Sequence, residues 1–213
     1  MGLEESIEEV RKLLENEDEV RERILSLTRE IIRGARRIVF KVHGGDIVSA
    51  EKELTETEKY VSELEKYKFL HPRLFYTGSV SAALVEYVEA RLILEYEKTD
   101  KLPSFEELKV EPVHYLLGLA DFGGELRRLM VRCLSTGDYS GAVRALKIME
   151  KVYKGLITLA LPDALVPGLR RKVDILRGVF ESSMRDLLYY SISNDVENSI
   201  RDLIKILKNE REI

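Results

Sequence analysis

The chain has 213 residues, enough to bury a core, and its 45% hydrophobic and 34% charged content with only 5 Pro matches an all-helical protein. Cys133 is the single cysteine, which excludes an intrachain disulfide and a cysteine-based metal cluster. The net charge of −4 excludes a generally basic nucleic-acid coat, although a local patch can still hold phosphate.

In chain order, Ile7, Val10 and Leu14 predict a short first helix. A long one follows, its buried stripe running Val20, Ile24, Leu27, Ile31, Ala35, Ile38 and Val42 at spacings of three and four. It ends at "HGGD", where Gly44 and Gly45 supply a cap and a turn. Ile47, Ala50, Leu54, Val61 and Leu64 predict the next helix, and "HPRLFYTGS" is a break. A helix over about 80–97 follows, then the connection "KTDKLPSFEELKVEP". The next helix starts near Pro112 and stops at "STGD", where Asp138 can cap the following one, which runs to about Leu159. Beyond "LPDALVPG", two helices are expected, over about 169–191 and 196–208. No strand pattern and no flexible linker appears, so residues 1–213 read as a single all-α domain, a bundle of about seven helices.

No apolar run approaches membrane-spanning length and "MGLEESIEEV" is unlike a targeting peptide, so a cytoplasmic protein without membrane contact is expected.

Four carboxylates carry the chemistry. "EYVE" sets Glu86 and Glu89 one turn apart on a helix face, and "LADFGGELRR" sets Asp121 and Glu125 one turn apart on another. Glu-x-x-Glu also occurs on many solvated helix faces, and "EKELTETEKY" is such a surface here. "ADFGGE" is the sharper signal, because two glycines inside a helix cost roughly 1 kcal/mol each against alanine. Something should offset that cost. Gly123 and Gly124 would let a neighbouring helix or a substrate backbone approach closely. If the pairs converge from two adjacent antiparallel helices, their repulsion calls for a counter-charge, and Mg²⁺ or Mn²⁺ is the cation that hard oxygen ligands prefer. Neither pair contains the His that a ferritin-like di-iron site needs.

The stretch "HYLLGLADFGGELRRLMVRCLSTGDYSGA", with "LTREIIRGARRIVFKVH" and "EYVEA" upstream and "LRRKVDILRGVFESSMRDLLYYSI" downstream, resembles the translin family over nearly the whole chain. Within that family it is more similar to the translin-associated factor X branch, of a prokaryotic or archaeal type. Glu86, Glu89, Asp121 and Glu125 stand where that branch carries its ribonuclease centre. The resemblance implies a seven-helix fold, assembly into a hollow octamer, and Mg²⁺-dependent endonucleolytic cleavage of single-stranded RNA inside it, with the four acids as metal ligands. A homo-oligomer is the default partner arrangement, and single-stranded DNA is an alternative ligand.

For nucleic-acid contact the sequence offers Arg33, Arg36, Arg37 and Lys41, beside Arg29, on the polar face of the long early helix. "YKFLHPRLFY" adds Lys68, His71 and Arg73 among aromatic residues and resembles the basic segment of translin, interrupted by Leu70 and Pro72. Arg128, three residues after Glu125, either clamps a phosphate or neutralises the acids. His43, His114, Cys133, Tyr189 and Tyr190 read as packing residues. Three other classes compete with the ribonuclease: a non-catalytic RNA- or DNA-binding oligomer, an all-α nucleoside-triphosphate pyrophosphohydrolase, and a purely structural bundle. The pyrophosphohydrolase pattern has Glu-x-x-Asp as its second pair, where this chain has Asp-x-x-x-Glu.

Overall fold

A computed structural model of the protein describes residues 2–209. They form eight helices, and no strand occurs among them. The chain divides into two compact units, Met1–Phe122 and Gly123–Ile213.

The first unit opens with α1, Leu3–His43, a single helix where two were expected. The intervening "ENEDEV" contains no Gly or Pro, and ion pairs such as Arg11–Glu8 (2.6 Å) and Arg21–Asp18 (2.9 Å) knit successive turns. Gly45, at φ 77°, makes the turn after it. The side chain of Asp46 then caps α2, Ile47–Leu70, by accepting from Ser49 N at 3.0 Å. Arg23–Glu63, Arg37–Glu53 and Lys41–Glu53 pair rising numbers on α1 with falling ones on α2, so the two run antiparallel. They approach closely at Gly34, where an added Cβ would run into the Thr57 hydroxyl. The buried stripe of α1 is the expected one from Ile24 to Val42.

"HPRLFYTGS" is not wholly irregular, since α3, Pro72–Phe75, forms a single turn within it. The central helix is α4, Gly78–Thr99, buried on most sides by residues such as Leu84, Val88, Leu92 and Ile93. It runs antiparallel to α2, through Arg91 with Glu58 and Lys98 with Glu51. The connection after it holds α5, Phe105–Leu108, with a Ser104/Glu107 capping box. Asp100 and Lys109, both left-handed, end α4 and α5.

The direction of α6, Pro112–Ser135, differs from expectation. Glu111 at its start meets Lys68 (2.7 Å) and the Tyr76 hydroxyl (3.1 Å), just before α4 begins. Gly118 then lies against Val85 and Val88, and Phe122 against Tyr96 at 6.2 Å. Numbers rise together, so α6 runs parallel to α4 rather than antiparallel. The connection makes this feasible: the residues on either side of α5, extended at about 3.3 Å each, together with α5 itself can retrace a helix that rises about 1.5 Å per residue.

The second unit holds the rest of α6 with α7, Tyr139–Ile157, and α8, Leu169–Asn209. Asp138 caps α7 as expected, accepting from Gly141 N at 2.8 Å. Arg127 reaches α8 at Ser182 (2.9 Å), Ser183 (3.1 Å) and Asp186 (2.7 Å). Tyr153 stacks on Phe180 at 5.8 Å. The two expected C-terminal helices are one, because "SISNDVE" has poor helix formers but no true breaker.

The outer ends of α1 and α8 share a property. Leu3, Ile7, Val10 and Leu14 on one, and Leu188, Ile192, Val196, Ile200, Leu203 and Leu207 on the other, keep a three-to-four spacing yet stand exposed. Tyr189 is likewise exposed, Tyr190 stacks on Tyr139, and Cys133 is half-buried rather than core.

Candidate nucleic-acid site

Helix α4 carries Glu86 and Glu89, and the packing of Gly118 on Val85 and Val88 brings α6 alongside that turn. An added Cβ at Gly118 would lie 2.6 Å from Val88 Cγ1 and 3.0 Å from the Val85 carbonyl oxygen. The two backbones therefore need a glycine there. Asp121 follows one turn further along α6, and Glu125 one turn beyond that. All four acids are half-buried; the Glu86 side chain is 37% exposed and the Glu125 side chain 17%.

Half-buried carboxylates favour nearby positive charge. Glu86 has Arg36 of α1 at 3.8 Å, and Glu125 has Arg128 at 3.5 Å. Each pair offers only carboxylate oxygen, the chemistry a hard cation selects. Among the described residues, no group of three or more His, Cys, Asp or Glu is gathered around one point as a metal cluster requires.

The paired glycines separate. A Cβ on Gly123 would collide with Leu176 of α8, so this glycine admits a neighbouring helix. Gly124 is exposed, and a Cβ there would meet nothing within 4 Å. Of the two roles expected for the pair, packing belongs to Gly123, and the open surface lies at Gly124.

Most of the basic residues have acidic neighbours. Arg33 pairs with Glu30 (2.7 Å), Arg37 and Lys41 both hold Glu53 (2.8 Å each), and Lys68 holds Glu111. Arg73 pairs with Glu17, and the His71 ring lies 6.1 Å from that of Tyr67. The exposed Arg33–Glu30 pair is worth little and exchanges readily, so it leaves Arg33 open to phosphate, whereas the Lys41–Glu53 and Lys68–Glu111 pairs are half-buried and hold their lysines in the fold. The side chain of Arg36 is 72% exposed and its partner is distant, so it is the cation most open to an incoming anion beside the acids.

Three features escaped the sequence. Glu53, held below the usual carboxylate range chiefly by its hydrogen bond from Arg37, anchors the α1–α2 pair; nothing in "EKELTETEKY" separates it from its solvated neighbours. Gly118 sits in "LLGLA" without a partner glycine to draw attention. Phe40 lies on the face of α1 opposite the apolar stripe, among arginines, and is 80% exposed.

Comparisons with known proteins agree with this architecture. The model of the Translin family matches residues 19–179. An uncharacterized protein of Methanocaldococcus jannaschii is 34% identical over 83% of this chain and 79% of its own. Translin-associated protein X of Mus musculus is 29% identical over 63% of this chain, which spans 60% of that protein's length. Human translin is 25% identical over 80% of this chain and 78% of its own. Among solved structures, AfC3PO in complex with duplex RNA superposes with a TM-score of 0.80 at 33% identity, covering 88% of this chain and 97% of the other. With a family match extending from within α1 into α8, and eight helices that follow the same fold, the chain belongs to the Translin family.

Proposed function

We propose that this protein binds RNA as an assembled homo-oligomer, an octamer by family resemblance, and cleaves single strands endonucleolytically with Mg²⁺, in the cytoplasm. The observation that carries the reading is the similarity to a structure solved with RNA, joined to two acidic pairs on helices α4 and α6. Glu86, Glu89, Asp121 and Glu125 would hold the ion, with Mn²⁺ as a substitute. Bound there, it would supply an activated water and charge stabilisation at the leaving oxygen. The chain's own residues bind and orient the strand. Arg36, with Arg33 one turn earlier, offers guanidinium groups to phosphates beside Glu86. Gly124 leaves the α6 surface between Asp121 and Arg128 bare, which admits a backbone that a larger side chain would hold away.

The purified oligomer, incubated with end-labelled single-stranded RNA, should cut internally with Mg²⁺ and stop when a chelator is added. Cleavage unaffected by chelation would refute the metal role. A second reading, a non-catalytic RNA-binding oligomer, is favoured by the lack of a gathered ligand cluster among the described residues. RNA binding without cleavage at any Mg²⁺ or Mn²⁺ concentration would establish it. In either case no helix among the described residues is long and apolar enough to cross a membrane.

A further inference from the structure

On α1 the exposed residues Arg29, Arg33, Arg36 and Phe40 succeed one another at spacings of four, three and four, so they form one row along the helix. Arg36 in that row is the residue that reaches Glu86. Phe40 ends the row with its ring 80% exposed. Helical side chains lean towards the N-terminus, which tilts Phe40 over the turn that carries Arg36. One turn beyond it stands Gly44, with no side chain to cover the ring from the other direction.

The apolar stripe of α1 lies on the opposite face and is complete without Phe40, so packing within this chain does not use a ring that stands 80% exposed at the end of an arginine row. We infer that Phe40 is a base-stacking platform, and that it makes the arginine row selective for unpaired RNA; this rests on the RNA-binding reading above. The arginines can grip phosphates of any strand, paired or not. An aromatic face offers something only an unstacked base can use, and such stacking tolerates every base because each has a π-face. A duplex conceals those faces between neighbouring pairs. Phe40 therefore supplies strand-state selectivity without sequence selectivity, one turn from the arginine that borders the acids.

The test uses the intact assembled protein with a short unstructured RNA strand and a blunt duplex of the same sequence. Phe40→Ala should weaken single-strand binding by about 5- to 150-fold, the range for losing one stacked base, and leave duplex binding unchanged. Phe40→Trp should restore the affinity. Because the chain has no tryptophan, that variant carries a single indole, whose fluorescence the single strand should quench and the duplex should not. Equal affinities of Phe40→Ala and the parent for both RNAs, with an unquenched indole, would overturn the inference while leaving RNA binding intact. Equal losses on both RNAs, or a smaller assembled mass for Phe40→Ala, would overturn it in favour of an interface between copies. A parent protein that binds neither RNA would overturn this inference and the functional reading together.

Discussion

Gly118 and Gly124 lie less than two turns apart on α6, and their surroundings are opposite. The first is pressed against Val85 and Val88, where a single methyl group would have no room; the second faces open space. Gly123 belongs with the first kind, through Leu176. A glycine in a helix thus has two very different meanings. Pressed, it sets the distance between backbones. Open, as at Gly124, Gly155 and Gly178, it costs helix stability and returns nothing to the packing of the fold.

The sharpest way to break this contrast is at the acid between the two. Asp121→Asn is nearly isosteric but uncharged, and it should lower the RNA cleavage rate by at least about 100-fold, beyond the roughly 10- to 100-fold typical of losing a group that only supports a metal ligand. RNA affinity and melting temperature should hold. A mutant that melts early, with activity falling only in proportion to folded protein, would move Asp121 to the structural side of the comparison.

Gly118→Ala comes next. The added methyl must push α6 away from α4, and overpacking of this kind costs about 1–3 kcal/mol. Chemical denaturation of the variant measures it, and a neutral result would mean that Val88 yields easily.

His114, one turn before Gly118 on the same pressed face, adds a pH dependence. It is only 6% exposed and its Nδ1 has no hydrogen-bond partner. Burial holds its pKa below the ordinary 6.5; Lys68 pushes the same way and Glu111 opposes. Protonation therefore favours the unfolded chain. Stability is complete above about pH 6.5 and falls as the pH drops below it, towards the lower folded-state pKa. His114→Leu should flatten that slope in melting curves recorded across the range. A slope unchanged in the variant would assign it to other groups.

The smallest effect belongs to Gly124→Ala. With nothing to collide with, the substitution should stabilise the fold by roughly 0.5–1 kcal/mol, the ordinary gain of alanine over glycine in a helix. If it also weakens RNA binding or cleavage, the open position serves the ligand. If it raises stability and leaves both untouched, the glycine has no such role.

Much of the fold was legible because helical periodicity survives in nearly every element. The Ile24–Val42 stripe, the "HGGD" turn and the Asp138 cap each rest on local chemistry and were readable as such. Helix continuity was less so. "ENEDEV" and "SISNDVE" weaken a helix without breaking it, and only packing and ion pairs decide whether it carries on. The parallel course of α6 was out of reach, because a short connection suggests an antiparallel neighbour and nothing in "KTDKLPSFEELKVEP" says that it doubles back. For the site, the acid spacing on each helix was readable from numbers alone. The register between α4 and α6 was not, since it depends on Gly118 meeting Val88, a contact between residues far apart in the chain.

If further copies of the chain cover the exposed leucine and isoleucine rows of α1 and α8, as the proposed assembly would have them do, concentration becomes a variable of stability. Any second chain that covers them binds the folded form alone, so a melt recorded on a dilute sample and one on a concentrated sample should differ. In such an assembly a subunit made in excess would leave these rows uncovered. Such orphans are the natural prey of cellular quality control, and the protein's level in the cell would follow that of whatever completes its surface.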